Sequence, residues 1–459
     1  MGLKYYLYDI QPRAIKYIIG IIYREIPNSV LYGKVYRTFR RELKIFENKS
    51  LIDKEIFLVN KIKKLLIDAY ENTDFYKELF DNKGFRPYDF CELEQMENIP
   101  IIDKEMVMNN IDKFIIKKYR NSNKLEKVTT GGTSGKQMVF FQEKKYTAVR
   151  CKAYFDYLFQ KEGYNKRCKL AVIRNNVMPK EQLWEEDYLN NKCIFNPFIL
   201  TDENIKKIIA KLNKDKIMYF HAYPSSLMIL AEYMKRTGDR LQYKPKAIFA
   251  SSENIYEGQR EIIEEFFNCS MHIHYGHSEN GAVAGWCLYS SHYHIEDCFG
   301  YCELLDDRGK VVSKYEEWGQ IVTTGFNNGV MPLIRYATGD YAQYVSSDQC
   351  ENYRCLSKIQ GRWLQEMLYT EKGNGISMTA INVHSDIFDH VKAYQFYQDT
   401  LGKCDLCIVK GASYKLEDEK AILEEMSKRL GTELQIHIKY VDEIKKEKNG
   451  KFKYIVQKI

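Results

Sequence analysis

From residue 168 to residue 276 the chain alternates short apolar stretches with amphipathic ones. "CKLAVIR" comes first, then "KIMYFHAY" leading into "PSSLMILAEYMKRTG", "KAIFASS" leading into "GQREIIEEFF", and finally "SMHIHYG". Parallel strands cannot be joined by a tight turn and need a crossover, usually a helix, so this alternation predicts an α/β core with mainly parallel strands. Upstream, "IFLVNKIKKLLIDAYENTDFYKELF" has helical spacing, and Asp103 stands where a helix would start. Between about 300 and 358 the pattern shifts to short strands with Asp-Asp-Arg-Gly and Asn-Asn-Gly turns, which predicts antiparallel structure. Beyond Gly361-Arg362, "HVKAYQFYQ", "CDLCIVKG", "EDEKAILEEMSKRLG" and "LQIHIKYVDEI" read as strand, strand, helix and strand. A chain of 459 residues exceeds one ordinary core. The fold class expected is α/β: a basic helical extension over 1–60, a large multi-subdomain body over 61–361 and a small, mobile α+β C-terminal lid domain over 362–459.

Charge narrows the partners. The net +7 is concentrated at the start, where residues 1–50 carry ten Lys/Arg against four Asp/Glu, a difference of +6. A near-neutral remainder offers no extended basic track, so nucleic-acid binding is not expected. The basic segment is interleaved with Tyr, Ile, Leu and Phe and could lie on an anionic membrane surface. The reading preferred is a helical cap whose apolar side packs on the body. No run approaches the ~18 apolar residues of a membrane span, and "MGLKYYLYDIQPRAIKYIIG" is a poor signal peptide. The twelve Cys are then expected to be reduced thiols of a cytoplasmic protein. "WCLYSSHYHIEDCFGYC" holds the nearest approach to a metal site, Cys287, His292, His294, Cys298 and Cys302, with no C-x-x-C knuckle to anchor it. Both structural zinc and plain core packing remain open there.

Several loops have the composition of ligand loops. "VTTGGTSGKQMVFF" crowds Gly, Thr and Ser around Lys136 before a strand-like run. Glycine backbone can approach a ligand closely, and N–H and hydroxyl groups can surround phosphate oxygens, although a plain hairpin turn has the same composition. In "HYGHSENGAVAG", Tyr275 could stack a base and Glu279 could hold Mg2+, which prefers oxygen ligands beside phosphates. In "PLIRYATGDYA", Asp340 could take a pair of ribose hydroxyls. Arg362 stands at the domain junction, and Lys451 on a tight turn in "KNGKFKYIV".

In this order the segments resemble the adenylate-forming superfamily of acyl-CoA ligases, luciferases and peptide-synthetase adenylation domains, from about residue 60 to the end. "TTGGTSGK" is similar to its phosphate loop, "YGHSE" and "YATGD" to two further core segments, "GR" to its hinge and "NGKF" to its C-terminal Gly-Lys turn. Within the superfamily the chain is most similar to the phenylacetate–CoA ligase group and its capsular-polysaccharide-biosynthesis branch. The stretches that point there are "HAYPSSLMILAEY", "FASSENIYEGQREIIEEFF" and "ISMTAINVHSDIFDHVKAYQFYQ". Two departures stand out. Gly131-Gly132 replaces a Ser-Gly, and Trp363, Leu364 and Gln365 stand where an acid is expected after the hinge.

The resemblance implies an enzyme that uses ATP and Mg2+ to turn a carboxylate into an acyl-adenylate, then passes the acyl group to a thiol such as coenzyme A or to an amine. It places Thr130, Gly131, Gly132, Thr133, Ser134, Gly135 and Lys136 on the phosphates. Ser252, Glu253, Tyr275 and Gly276 fall at the adenine, Asp340 and Arg362 at the ribose, and Glu279 on Mg2+. Lys451 is the catalytic residue, with Lys453 as the alternative, and His221, Tyr223 and Gly281 border the acyl pocket. An amino sugar is one acceptor consistent with a capsule role, and a homodimer is an open expectation. The alternatives are an acyl-CoA ligase of aryl-acid metabolism and a non-catalytic nucleotide-binding relative.

Overall fold

The structure, a computed structural model, describes residues 8, 10–129, 138–174, 178–179, 181–253, 255, 258–288, 290–346, 350, 353–361, 367–373, 375–377, 386–388, 390–430, 434–444 and 455–459. Its strands run β1 Leu125–Thr129, β2 Val139–Glu143, β3 Leu170–Ile173, β4 Trp184–Asp187, β5 Lys192–Phe195, β6 Tyr219–Ala222, β7 Ala247–Ala250 and β8 Met271–Ile273. They continue as β9 Tyr275–Gly276, β10 Val283–Trp286, β11 Tyr293–Ile295, β12 Gly300–Leu305, β13 Trp318–Gly325, β14 Tyr336–Val345 and β15 Cys355–Gln360. The last six are β16 Met367–Tyr369, β17 Gly375–Ser377, β18 Val391–Thr400, β19 Lys403–Lys410, β20 Gln435–Tyr440 and β21 Ile455–Gln457.

Strands β3 to β8 form one sheet in the order β4-β5-β3-β6-β7-β8, parallel throughout except for β4. Helices cover both faces. On one side Ile205, Ile208, Leu212, Leu227, Leu230 and Ile263 pack on Ala171, Ile173, Phe220 and Ile248. On the other, Tyr154, Leu158 and Phe39 lie over Val172 and Phe249. A sheet covered twice needs strands apolar at every position, which is why β3 and β7 read as unbroken runs and not as alternations. The helix Pro224–Thr237 starts with Pro at its first turn and stops at Gly238, whose φ of 82° is left-handed. Antiparallel β4–β5 is an addition the sequence did not suggest.

The second sheet has seven strands in the order β12-β13-β14-β15-β11-β10-β9 and is antiparallel. One buried ion pair anchors it. Arg335 lies immediately before β14 with φ 52°, and its guanidinium grips both carboxylate oxygens of Glu303 on β12 at 3.1 and 3.0 Å. Its remaining nitrogen donates to the Ile99 carbonyl at 2.7 Å, so the segment before Ile102 is tied to the sheet as well.

The C-terminal residues form a small α+β domain, with sheet order β20-β19-β18-β21 and the helix Leu416–Leu430 packing Ile422, Met426 and Leu430 on Phe396, Leu406 and Ile408. The expected ββαβ order is present. β21, parallel to β18, is a fourth strand that the sequence reading lacked.

The N-terminal expectation is half corrected. The helix Gly33–Glu47 buries Tyr36, Phe39, Leu43 and Phe46 on the body. The helix Arg13–Glu25 instead touches the body at Gly20, where any Cβ would collide with the Tyr188 carbonyl oxygen at 2.2 Å. Ile18 and Ile22 lie two residues either side of Gly20, hence on the opposite face, and they and Ile15 are exposed. The close backbone approach at Gly20 selects which face turns inward, against the hydrophobic pattern. No helix among the described residues is long and apolar enough to cross a membrane.

Breaking the buried pair on one side only should be costly. Arg335→Met leaves the Glu303 carboxylate buried without its partner, a loss of about 3–5 kcal/mol. Arg335→Met combined with Glu303→Leu should be less damaged than Arg335→Met alone in urea unfolding. A loss below about 1 kcal/mol for the single variant would remove the pair from this role.

Candidate functional site

Where the parallel strands end, charged and aromatic side chains gather, as is usual for ligand sites in open α/β sheets. Arg174 follows β3, His221 sits on β6, Tyr223 starts the next helix, Ser252 and Glu253 follow β7, and His274 follows β8. The Arg174 guanidinium donates to His221 Nε2 at 2.5 Å and to Ser252 Oγ at 3.2 Å, and lies 5.3 Å from the centre of the Tyr223 ring. Ser252 holds a left-handed φ of 70°, a conformation that is unusual for a residue other than glycine and sets its backbone at the sheet edge. Glu253 accepts from both the backbone N–H and the hydroxyl of Ser225, each at 2.9 Å, so its carboxylate caps the helix Pro224–Thr237.

Burial holds both histidines neutral. It is the main cause that lowers His221 far below the ordinary imidazole range, with Arg174 adding repulsion, and it lowers His274 from 6.5 to about 3, again with Arg174 contributing. Neutral His221 can therefore accept the hydrogen bond from Arg174. Phe155 and Phe159 form an aromatic wall against His274 at centroid distances of 4.9 and 6.2 Å.

After His274 the chain crosses from the first sheet to the second, and the acids of the site lie at this crossing. The Tyr275 hydroxyl donates to the Asp340 carboxylate at 2.8 Å, joining β9 to the middle of β14. Burial first, and the neighbouring Asp340 next, push the Tyr275 phenol well above its usual range, so it stays a donor. Glu279 is buried, accepts from the Tyr336 hydroxyl at 2.9 Å and lies 3.1 Å from His277 Nδ1. A buried carboxylate suits Mg2+, which typically takes one or two carboxylates together with phosphate oxygens.

Thus Tyr275 and Asp340 are brought together, as are His221, Tyr223 and Ser252. Gly276 lies exposed on β9, paired with Val283. Gly281 has a packing duty: a Cβ there would meet Thr323 Oγ1 at 2.3 Å, and its backbone presses on Gly300 and Gly325. Thr130, Gly131, Gly132, Thr133, Ser134, Gly135, Lys136, Arg362, Lys451 and Lys453 lie outside the described residues. The sequence reading missed Arg174, His274, His277 and Tyr336. Tyr336 and His277 sit inside quoted segments, while Arg174 had no local signal beyond a cation closing an apolar strand.

The residues 368–458 match the family described as the CapK C-terminal domain. Over the full length the chain is 27% identical to Protein CapK of Staphylococcus aureus, covering 99% of each. A solved 2-hydroxyisobutyryl-CoA ligase, in complex with 2-HIB-AMP and CoA in the thioesterification state, is similar with a TM-score of 0.58 at 15% identity, covering 88% of this chain and 90% of that one. An open conformation of that ligase gives 0.54 at 16% identity, covering 87% and 90%. At such identities the likeness is one of fold: a large α/β body with a C-terminal domain.

The neutral histidines make stability depend on pH in a definite direction. His274 is protonated in the unfolded chain below about 6.5 and in the folded protein only near 3. The folded state therefore binds fewer protons in that window. Its contribution is fully present above about 6.5 and is lost as pH falls toward 3, at up to about 1.4 kcal/mol per pH unit. Denaturant midpoints should fall from neutral pH to about 4, and His274→Phe, which keeps a ring against Phe155 and Phe159, should fall less steeply. Identical slopes in both proteins would show that His274 is not the group responsible.

Proposed function

We propose, from the premise that this chain belongs to the adenylate-forming superfamily in its CapK branch, that it activates a carboxylic acid with ATP and transfers the acyl group to a thiol or amine in polysaccharide biosynthesis. The observation that carries this reading is the joining of Tyr275 to Asp340 and of Glu279 to Tyr336 at the crossing between the two sheets. That arrangement offers a ring for a base, a carboxylate for vicinal hydroxyls and a second carboxylate for a phosphate-bound cation at one crossing between the sheets. The full-length similarity to Protein CapK supports the capsule role.

In the first step a substrate carboxylate oxygen attacks the α-phosphorus, and the bond to the bridging oxygen breaks, releasing pyrophosphate and leaving acyl-AMP. There is little covalent work for side chains, so the protein's contribution is position and charge. Thr130 to Lys136 hold the β- and γ-phosphates. Asp340 and Arg362 fix the ribose, and Tyr275, Gly276, Ser252 and Glu253 border the adenine. Glu279 would hold Mg2+, which neutralises phosphate charge when bound. Arg174, fixed by His221 and Ser252, offers the carboxylate a cation beside Tyr223. In the second step the acceptor, coenzyme A or an amine such as an amino sugar, attacks the acyl carbon, loses its proton and expels AMP. A swing of the C-terminal domain about residues 362–364 between the steps withdraws Lys451 and opens the acceptor's route.

Lys451 is tested by separating the half-reactions. If it stabilises only the adenylation transition state, Lys451→Ala should slow carboxylate-dependent pyrophosphate release by about 10²–10³-fold. It should bind ATP nearly as well as the unaltered protein and transfer the acyl group from a synthetic acyl-adenylate at a near-normal rate. Equal damage to both steps would contradict a role confined to adenylation, and a normal Lys451→Ala beside a crippled Lys453→Ala would move the role to Lys453.

A further inference from the structure

The cysteines singled out in sequence do not stay together. Cys298 bonds its thiol to Glu296 at 3.3 Å, and Cys302, on β12, lies in a separate apolar cluster with Leu304 and Ile321. Cys287 and His294 are joined by residues more than fifty positions away. Cys287 Sγ is 3.3 Å from Cys350 Sγ, and His294 Nε2 is 3.0 Å from the same sulfur. The three ligand atoms lie within 4.8 Å of one another. Cys355 stands beside these three: it is the β15 residue directly opposite His294 in the antiparallel register, shares the buried cluster of Cys287 and Cys350, and donates its thiol to the Tyr353 carbonyl at 3.7 Å. The three cysteines are 3–5% exposed.

We propose that Cys287, His294, Cys350 and Cys355 form a structural zinc site that ties the ends of β10, β11 and β15 to the loop entering β15. Three sulfurs and one imidazole are a familiar ligand set for structural Zn2+, with Zn–S about 2.3 Å and Zn–N about 2.0–2.1 Å. A tetrahedron with those bonds has edges of about 3.5–3.8 Å, so the observed 3.3 and 3.0 Å need to open by only a few tenths of an ångström. A disulfide demands an S–S distance of about 2.05 Å, would use two sulfurs and would leave the third thiol and the imidazole unexplained. All four positions are taken by protein, which marks a closed, structural site and not a catalytic one.

The surroundings suit the charge. On binding, three S–H bonds break, three Zn–S bonds and one Zn–N bond form, and three protons pass to solvent, leaving a centre of net −1. Lys54 is 3% exposed and lies 4.2 Å from the centre of the Tyr353 ring, which stacks on His294 at 4.2 Å. The spacing Cys287-x6-His294 and Cys350-x4-Cys355 lacks a knuckle because strand pairing does the gathering.

The test uses the full chain, purified reduced from zinc-supplemented cells, with metal measured by mass spectrometry. About one zinc per chain is expected, falling at least tenfold in Cys350→Ser and in Cys355→Ser, with Cys91→Ser and Cys302→Ser retaining it. If the serine variants fail to fold, the unaltered protein decides. Replacing zinc with Co2+ should give the intense thiolate charge-transfer bands of tetrahedral sulfur ligation, and Cys287, Cys350 and Cys355 should resist alkylation until a chelator is added. A reduced protein that takes up neither Zn2+ nor Co2+, or that loses zinc equally in Cys302→Ser, would overturn the proposal.

Discussion

The Arg335–Glu303 pair is the constraint on which the site depends. A guanidinium and a carboxylate with almost no exposure persist only if each satisfies the other, and here the fork is matched by two parallel hydrogen bonds. The pair fixes where β14 begins. Its next residue, Tyr336, reaches Glu279, and four residues further Asp340 receives the Tyr275 hydroxyl. Because side chains alternate along a strand, a slip of one residue at Arg335 would turn Tyr336 and Asp340 to the opposite face. The same arginine holds the Ile99 carbonyl, and the Ile102 N–H bonds to the Arg335 carbonyl, so residues 99–102 share that register.

The two sheets divide the work. The parallel sheet ends in Arg174, His221, Ser252 and His274, a group arranged around one cation and neutral imidazoles. The antiparallel sheet brings the acids, Glu279 and Asp340. Between them the chain passes from β8 to β9 with only His274 intervening, so the two halves of the site are joined through adjacent residues. The proposed zinc centre lies on the same sheet. It would clamp β10, which follows the Tyr275–Glu279 segment, to β15, which leads toward Gly361, and so it bears on how firmly this sheet is held.

Much of this was legible in the chain, for identifiable reasons. The unbroken apolar runs at β3 and β7 and the Gly238 stop report local geometry directly, and the "YGHSE" and "YATGD" segments are short enough to carry their own chemistry. What was hidden depends on partners distant in sequence. Cys350 and Cys355 join Cys287 and His294 only through the β11–β15 pairing. Arg174 gains its role from His221 on β6 and Ser252 just after β7, both distant in sequence. At the N-terminus the hydrophobic pattern pointed the wrong way, because the contact at Gly20 sets the orientation of Arg13–Glu25 through backbone approach, which leaves no mark in hydropathy. β21 was missed because a three-residue strand parallel to β18 has too little pattern to declare itself.

The central claim is that this site makes an acyl-adenylate, and isotope exchange between labelled pyrophosphate and ATP addresses it most directly. Because the first step is reversible and needs no acceptor, label should enter ATP when a suitable carboxylic acid is present and coenzyme A and amines are absent. AMP should be the nucleotide product once an acceptor is added. Exchange that does not depend on a carboxylic acid, or turnover that yields ADP and phosphate in place of AMP and pyrophosphate, would contradict the account.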